Sequence, residues 1–476
     1  MLAALSARPL AAQATDERAQ IERFRSELGQ VPDSATLKAQ EADGIAHAKL
    51  DRDNAILHVQ LGFIAYRLGE VTGEKQHYDD AGSEFEWAGD LKPDWPFPWY
   101  GLGLSELAQG ENGSIAIENL RQVMGKDYLT KAANAFARAT QADPTFAAAL
   151  VDLAETALRQ RVNARVDVAL SALRTARRSG SMPAAAVLEL GRLEREAGSD
   201  DSALAAFSAY VAQGGDSAVG LFESSRALFS LDRRADAESA YFAGARAARS
   251  DAGRAAYRED ASWTASAGEL AALDSLTRGG RLAAGLSRLW RVRDAESALR
   301  RGESLVEHQR RYLYAWKHFR LVSRHRHYDV TETYRSEQST FDDRGVIYLR
   351  QGAPDRRATF SRVDIDPNES WLYIRPEGNV IFHFVARDDI DDYKLVRSAA
   401  DVLGFQKSVD IQAVPGGAAS AGVIFGSRSG LDRIYENLSN GSIGSGSLLA
   451  EERRRGIDAI RLGTTTTYYA PRFPKA

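Results

Sequence analysis

The chain has 476 residues, 44% of them hydrophobic and 26% charged, with a net charge of -4 and no cysteine. That length accommodates two or three domains, each able to bury a core. The charge balance and the lack of a basic run argue against a nucleic-acid partner, and the missing cysteine removes disulfides, thiolate catalysis and zinc–thiolate sites. No stretch of about 18 apolar residues is present to cross a membrane as a helix.

Residues 1–14 read as the tail of a secretory signal. Ala12-Gln13-Ala14 has the small-x-small form of a cleavage site and is followed at once by the polar Thr15-Asp16-Glu17-Arg18. The apolar stretch before it is short and broken by Arg8. Export to the periplasm or cell envelope is the resulting expectation. Residues 15–54 form an N-terminal helical segment.

From about residue 55 to 250 a repeat takes over. In Lys131–Pro144, the residues Ala132, Phe136, Ala139 and Pro144 fall at steps of four, three and five. These steps place a small, an aromatic and a second small residue on one helix face, which lets that helix nest closely against the one before it. Asp143-Pro144 ends the helix. Ala81, Phe85, Ala88 and Pro93 reproduce the whole pattern, and Ala169, Leu173 and Ala176 its steps. Ala203, Phe207 and Tyr210 follow 34 residues later, and Ala237, Tyr241 and Gly244 follow 34 after that, Tyr210 being the large exception. The preceding helices carry Leu61-Gly62, Leu102-Gly103 and Leu190-Gly191, each with a second Gly seven positions on for the turn (Gly69, Gly110, Gly198). Relative to the repeat, seven extra residues lie between Gly69 and Ala81, and seventeen between Gly110 and Ala132. The latter, Glu111–Asp127, are read as an extra helix or flap. The aromatic run Trp95–Tyr100 lies where one repeat hands over to the next; inter-helix packing is favoured there over a partner-binding patch.

After Asp251 the 34-residue phase is lost. Residues 251–335 read as connecting helices, with Gly279-Gly280 as punctuation and a strongly helical run from Arg281 to about Leu321. From Thr340 the pattern changes to strands, giving an α+β domain over 336–476. Gly345–Leu349 reads as a strand closed by the turn Gly352-Ala353-Pro354-Asp355, and Glu369–Ile374 as a second strand. Pro376–Asn379 turns the chain into Val380–Val385, running antiparallel. Trp371 and Tyr373 share one face, as do Phe382 and Phe384, so one face of the sheet must be covered, by the helices before it. Trp371 is expected to be buried against the helices carrying Trp290 or Trp316. Ser439–Ser447 reads as a mobile loop, Leu448–Ile460 as a helix and Thr464–Tyr469 as a last strand. The fold class is therefore mostly α: a solenoid followed by a smaller α+β domain with a short antiparallel sheet.

The 34-residue period with its small–aromatic–small second helix resembles the tetratricopeptide repeat, over roughly Ala55–Ala248. Hairpins of that kind stack into a superhelix with a concave groove. The resemblance implies that the ninth and twelfth positions of each first helix point into the groove. Those are Arg192 and Arg195 in one hairpin, Arg226 at a ninth position and Arg161 at a twelfth. Arg192 and Arg226 lie 34 apart, as do Arg161 and Arg195, so successive hairpins stack them as a basic ridge. Two readings stay open. The ridge grips a protein or an acidic peptide segment through its guanidinium forks, or the arginines pair within the chain with Glu194, Glu196 or Glu223.

A second resemblance spans roughly Leu282–Phe473. Leu289-Trp290, Arg293-Asp294, Glu307-His308, Arg311, Asp343-Arg344-Gly345-Val346-Ile347-Tyr348, Gly352-x-Pro354-Asp355 and Glu369-x-Trp371-x-Tyr373 look like the GWxTD domain. That family occurs in bacterial proteins, often exported and joined to tetratricopeptide repeats. Its signature is reduced here, because Ser339-Thr340-Phe341-Asp342-Asp343 stands where Gly-Trp-x-Thr-Asp would be and only Asp343 matches. The resemblance marks Asp343, Arg344, Gly345, Gly352, Pro354, Asp355, Trp371 and Tyr373 as motif residues, with no role attached.

Other constellations are better explained structurally. His308, His318, His325 and His327 cluster, and His325-x-His327 beside Asp329 has metal-ligand spacing if extended, but Arg320, Arg324 and Arg326 oppose a cation. Asp342-Asp343-Arg344 lacks a second catalytic partner, so Asp343 is expected to cap a strand or pair with an arginine. Asp389, Asp391 and Asp392 lack the glycine of a calcium loop and read as a solvated turn. No phosphate loop or nucleophile elbow is present, and no cofactor is called for. The favoured function is a non-catalytic interaction scaffold of the bacterial envelope. The rival is an envelope enzyme or ligand-binding protein with its site in the α+β domain, around Asp343, Asp355 and His383; a deep pocket there favours the enzyme and a filled surface the scaffold.

Overall fold

A computed structural model describes residues 10–110, 127–159, 165–180, 182–321, 326–336, 340–363, 365–387, 389–404, 418–440 and 446–465. All of the expected extra helix or flap but Asp127, most of the expected Gly/Ser loop, the first nine residues, Arg161 and His325 lie outside that set. The chain divides into two compact units, Met1–Met182 and Pro183–Ala476.

In the first unit, helices Leu10–Gly29 and Ser34–Leu50 precede three hairpins: Ala55–Thr72 with Lys75–Leu91, Pro96–Gly110 with Tyr128–Ala142, and Ala147–Arg159 with Val166–Arg178. Their second helices bury the repeat residues completely, Ala81, Phe85 and Ala88 in one and Ala132, Phe136 and Ala139 in the next. Each buried ring occupies space that glycines leave open. A Cβ at Gly62 or Gly101 would come within 2.7 or 2.3 Å of the Phe85 ring, and one at Gly103 within 2.5 Å of the Phe136 ring. This is the physical content of the small–aromatic–small rule: a ring fills the crevice between backbones that approach too closely for a side chain. The seven extra residues before Ala81 lengthen both helices of the first hairpin. Gly69 accordingly sits inside helix Ala55–Thr72 rather than in the turn, which is made by Gly73 at φ 73°. Trp95, Phe97, Trp99 and Tyr100 are buried, and the Trp99 indole N–H donates to the Pro93 carbonyl at 2.8 Å, so this run packs.

In the second unit the hairpins continue as Ala184–Glu196 with Asp200–Ala212, Ser217–Ser230 with Arg234–Ala247, and Asp251–Ser262 with Ala267–Arg278. Gly191 admits the Phe207 ring, with a notional Cβ at 2.4 Å, and Gly198 makes the turn at φ 78°. Two further helices, Leu282–Glu296 and Glu303–His318, account for the helical run after Arg281. A four-stranded antiparallel sheet follows in the order β1 (Arg356–Arg362), β2 (Ile365–Tyr373), β3 (Val380–Val385) and β4 (Lys394–Val396). In the β2–β3 register Trp371 faces Phe382 and Ser370 faces His383. The mostly α class, with a tetratricopeptide-type solenoid and a smaller α+β part, is what the structure shows.

Three local expectations are corrected, and a fourth, the covered sheet face, is met and extended. Gly345–Leu349 is not a strand but lies within helix Asp343–Gln351, started by Asp342, whose carboxylate accepts the Gly345 amide at 3.0 Å, and ended at Gly352 with φ 78°. A short apolar run does not by itself distinguish a buried strand from a buried helix, and here the cap decides. The sheet is covered on both faces. One holds Trp371, Tyr373, Phe382 and Phe384 against Tyr312, Phe319 and Val346, with Trp316 at the margin; the other holds Leu372, Val385 and Val396 against Val402, Ile424 and Phe425. Thr464 and Thr465 end helix Gly446–Thr465 instead of opening a strand, the rest of that stretch lying outside the described residues. The turn at Asp389–Asp392 is not wholly solvated: Asp392 is buried, 2.7 Å from an Arg326 nitrogen.

Candidate functional site

The three successive first helices of the second unit bring charged residues to one face. Arg192 and Arg195 come from Ala184–Glu196, Glu223 and Arg226 from Ser217–Ser230, and Asp260 from Asp251–Ser262. The predicted arginines do meet, around acids of the same chain. Arg192 Nε donates to Glu223 at 2.8 Å and Arg195 Nη1 at 2.7 Å, with Arg226 Nη1 3.9 Å away. Burial alone would push the Glu223 carboxyl up, but Arg192, Arg195 and Arg226 together hold it well below the usual carboxylate range. Arg161 lies outside the described residues.

Helix Glu303–His318 lies against this face, and Asp260 is the hub that binds it. Its carboxylate accepts from Arg226 Nη2 at 3.2 Å, Gln309 Nε2 at 3.1 Å and Tyr241 OH at 3.1 Å, with His308 Nε2 at 3.0 Å. Arg226 Nε also donates to Gln309 Oε1 at 3.3 Å, and its guanidinium stacks 3.5 Å from the Tyr312 ring centre. Burial raises the Asp260 carboxyl, and His308, Arg226 and Gln309 pull it back below its ordinary value. A cavity of about 340 Å³ remains beside that helix, lined among others by Arg192, Arg226, Tyr312, Trp316 and Arg320. At its rim the Trp316 indole donates to Glu196 at 3.3 Å and Arg320 lies 3.5 Å from the same carboxylate. Arg192 and Arg320 keep 32% and 27% of their side chains exposed. The lining offers cationic forks and aromatic faces, a chemistry of carboxylate and peptide recognition.

A sign of the pairing is present in the sequence. Glu189 precedes Arg192 by three residues and Glu223 precedes Arg226 by three, and the two pairs are 34 apart. Glu189 lies 3.5 Å from Arg192. An acid recurring in phase with the arginines announces a neutralised ridge. Asp260, 34 residues after Arg226, is the same position with its charge reversed.

In the α+β part the motif residues tie helix Asp343–Gln351 to the sheet. Asp343 lies 2.9 Å from Arg326 and accepts the Leu395 amide at 2.8 Å. Arg344 spans Asp342 and Glu369 at 2.7 and 2.8 Å and stacks on Tyr393, and Trp371 donates to Glu369 at 2.7 Å. Gly345 accommodates the Phe341 side chain, Tyr373 OH donates to the Gly352 carbonyl at 2.9 Å, and Asp355 accepts the Ile374 amide at 2.7 Å. Pro354 stands in the turn between helix and β1.

One constellation there was not foreseen. Ser370 Oγ lies 2.7 Å from His383 Nδ1, and His383 Nε2 lies 3.0 Å from Tyr435 OH and 3.5 Å from Glu452. Arg428 Nε donates to the Ser370 oxygen at 3.1 Å, which leaves the serine hydroxyl proton free to be donated to Nδ1 in the tautomer that carries its proton on Nε2. Every member is buried. Burial and the Arg428 charge lower His383 to about 3, and burial raises Glu452 to about 7. The set is a buried polar network, its five side chains all engaged with one another or with neighbouring protein groups. Among the described residues no group of acids and histidines could hold a metal ion; His308 is committed to Asp260, and His318 and His327 are exposed.

No family model matches the chain, and no curated protein does. Among solved structures it is similar to YrrB, a TPR protein with an unusual peptide-binding site, at 16% identity over 44% of this chain and 94% of that one, TM-score 0.34. It is also similar to the C-terminal part of a TPR repeat-containing protein from Cytophaga hutchinsonii, at 10% identity over 61% and 98%, TM-score 0.36. A third is TTC0263, a thermophilic TPR protein of Thermus thermophilus, at 22% identity over 43% and 98%, TM-score 0.27. The tetratricopeptide assignment rests on the 34-residue spacing and the ring-into-glycine packing rather than on these scores.

Proposed function

We propose that this chain is a non-catalytic interaction scaffold of the bacterial cell envelope, whose solenoid presents a partner-binding surface and carries the α+β part. The observation that carries the reading is the grip on helix Glu303–His318. The inner face of the second unit holds a helix through shared carboxylates and guanidiniums, and it leaves a cavity rimmed by the part-exposed Arg192 and Arg320. An acidic segment of a partner protein fits that rim. The rival reading, an enzyme or ligand-binding site in the α+β domain, has less support, because Asp343 and His383 are buried and engaged by protein groups. The envelope location rests on the Ala12-Gln13-Ala14 pattern and the GWxTD resemblance.

The test is affinity capture from a native envelope extract with the intact chain and with Arg192→Gln/Arg320→Gln. The expected result is a partner that is lost with the double variant and at high salt, while circular dichroism shows that the variant stays folded. A partner retained equally by both proteins would remove the cavity rim as the binding surface.

A further inference from the structure

The cavity beside helix Glu303–His318 is walled by planar groups stacked on one another. Tyr312 and Trp316, one turn apart on that helix, have ring centres 6.1 Å apart and planes inclined by 20°. The Arg226 guanidinium sits between two rings, 4.2 Å from the centre of Phe222 and 3.5 Å from that of Tyr312. At the other end Arg320 lies 5.0 Å from the Trp316 ring centre. All five side chains line the cavity. Phe222, Arg226 and Tyr312 are buried, whereas Trp316 and Arg320 are part-exposed and form the open end of the column. The indole is held in place from two sides, by its bond to Glu196 at 3.3 Å and by Phe341 packed edge-on with ring centres 6.3 Å apart.

We infer that this cavity seats one aromatic side chain of the acidic partner segment, with Trp316 and Arg320 as the residues that select it. The inference rests on the functional reading above and narrows it. Size decides first: about 340 Å³ is at the lower end of ligand pockets, roughly 300–1,000 Å³, which admits one large side chain but not a helix. Charge decides which part enters. Glu223, Asp260 and Glu259 line the interior beside the arginines, so a carboxylate driven inside meets like charge and loses its water. The neutral ring goes in, and the flanking carboxylates stay at the rim with Arg192 and Arg320. An aliphatic side chain would gain burial there, while a ring gains in addition the stacking of Trp316 and the guanidinium of Arg320.

The experiment uses the full chain and short fluorescein-labelled peptides, read by anisotropy. Glu-Asp-Phe-Asp-Glu should bind about tenfold tighter than the same peptide carrying cyclohexylalanine, which keeps the bulk and lacks the π electrons. Trp316→Leu should bring the two within about twofold of each other, with circular dichroism verifying the fold. The comparison on the unaltered chain decides by itself should that variant not fold. Equal binding of the two peptides by the unaltered chain, or a preference that survives in folded Trp316→Leu, overturns the inference and leaves an acid-binding rim standing. If neither acidic peptide binds, or if neutral Ser-Gly-Phe-Gly-Ser binds as well as they do, the functional reading falls and the inference falls with it.

Discussion

Asp260→Ala should loosen helix Glu303–His318 before anything else in the second unit. The carboxylate is fully buried and serves four partners: Arg226, His308, Gln309 and Tyr241. Removing one side of a buried ion pair costs about 3–5 kcal/mol, because the other charge is left without compensation. Glu223, 3.9 Å from Arg226, softens that penalty, while the orphaned Tyr241 and Gln309 donors add about 1–3 kcal/mol each if water does not reach them. A net loss of about 4 kcal/mol is expected. A chain of two compact units is not expected to unfold in one two-state step, so the readouts are denaturant unfolding followed through Trp290, which donates to Tyr241 at 3.3 Å, and hydrogen exchange across residues 303–318. The pH dependence supplies a second check. The folded carboxyl lies below its ordinary value, so its contribution is present above that value and is lost as pH falls through the folded one. The gap between the unaltered chain and the variant should therefore narrow in acid. A loss below about 1 kcal/mol, against the range for buried pairs, or unchanged exchange in that helix, would refute the hub.

Two further outcomes are expected. Phe136→Ala should cost about 3–5 kcal/mol in the first unit, since the ring fills the space that Gly103 leaves; a loss under about 1 kcal/mol would dissolve the repeat assignment there. His383 is lowered to about 3 and Glu452 raised to about 7. The histidine's stability contribution is lost as pH falls from 6.5, and the glutamate's as pH rises from 4.5. In the intact chain the two slopes oppose between those values; His383→Asn should leave the glutamate slope alone, so that the melting temperature falls from pH 4.5 to about 7, and a profile parallel to that of the intact chain would contradict the buried network.

The repeat was legible because its cause is local. A ring at Phe85, Phe136 or Phe207 needs a glycine opposite it, and both residues recur at fixed spacing. The strands β2 and β3 were legible through alternation around Trp371 and Phe382. What escaped depends on contacts far apart in sequence. Gly345–Leu349 looks like a strand until Asp342 is seen capping it and both sheet faces are seen to be already taken. Asp392 looks like turn chemistry until Arg326, 66 residues earlier, reaches it. The polar network of Ser370, His383, Arg428, Tyr435 and Glu452 draws on separate segments, and no spacing announces it.

The arginine ridge lies between these cases, and it shows how a groove can be both filled and receptive. Arg192, Arg195 and Arg226 face two buried carboxylates, Glu223 and Asp260. Most of the cost of taking these charges out of water is thereby offset within the fold, and the guanidiniums are held in fixed orientations. A partner carboxylate reaching the rim meets Arg192 already oriented by Glu223 and Glu189, and Arg320 oriented by Glu196. It has little side-chain entropy to remove, which is where preorganisation yields affinity. Its attraction is nevertheless limited, because each rim arginine already has an acidic neighbour. Selectivity must then come from shape beside Trp316 and Tyr312 as well as from charge.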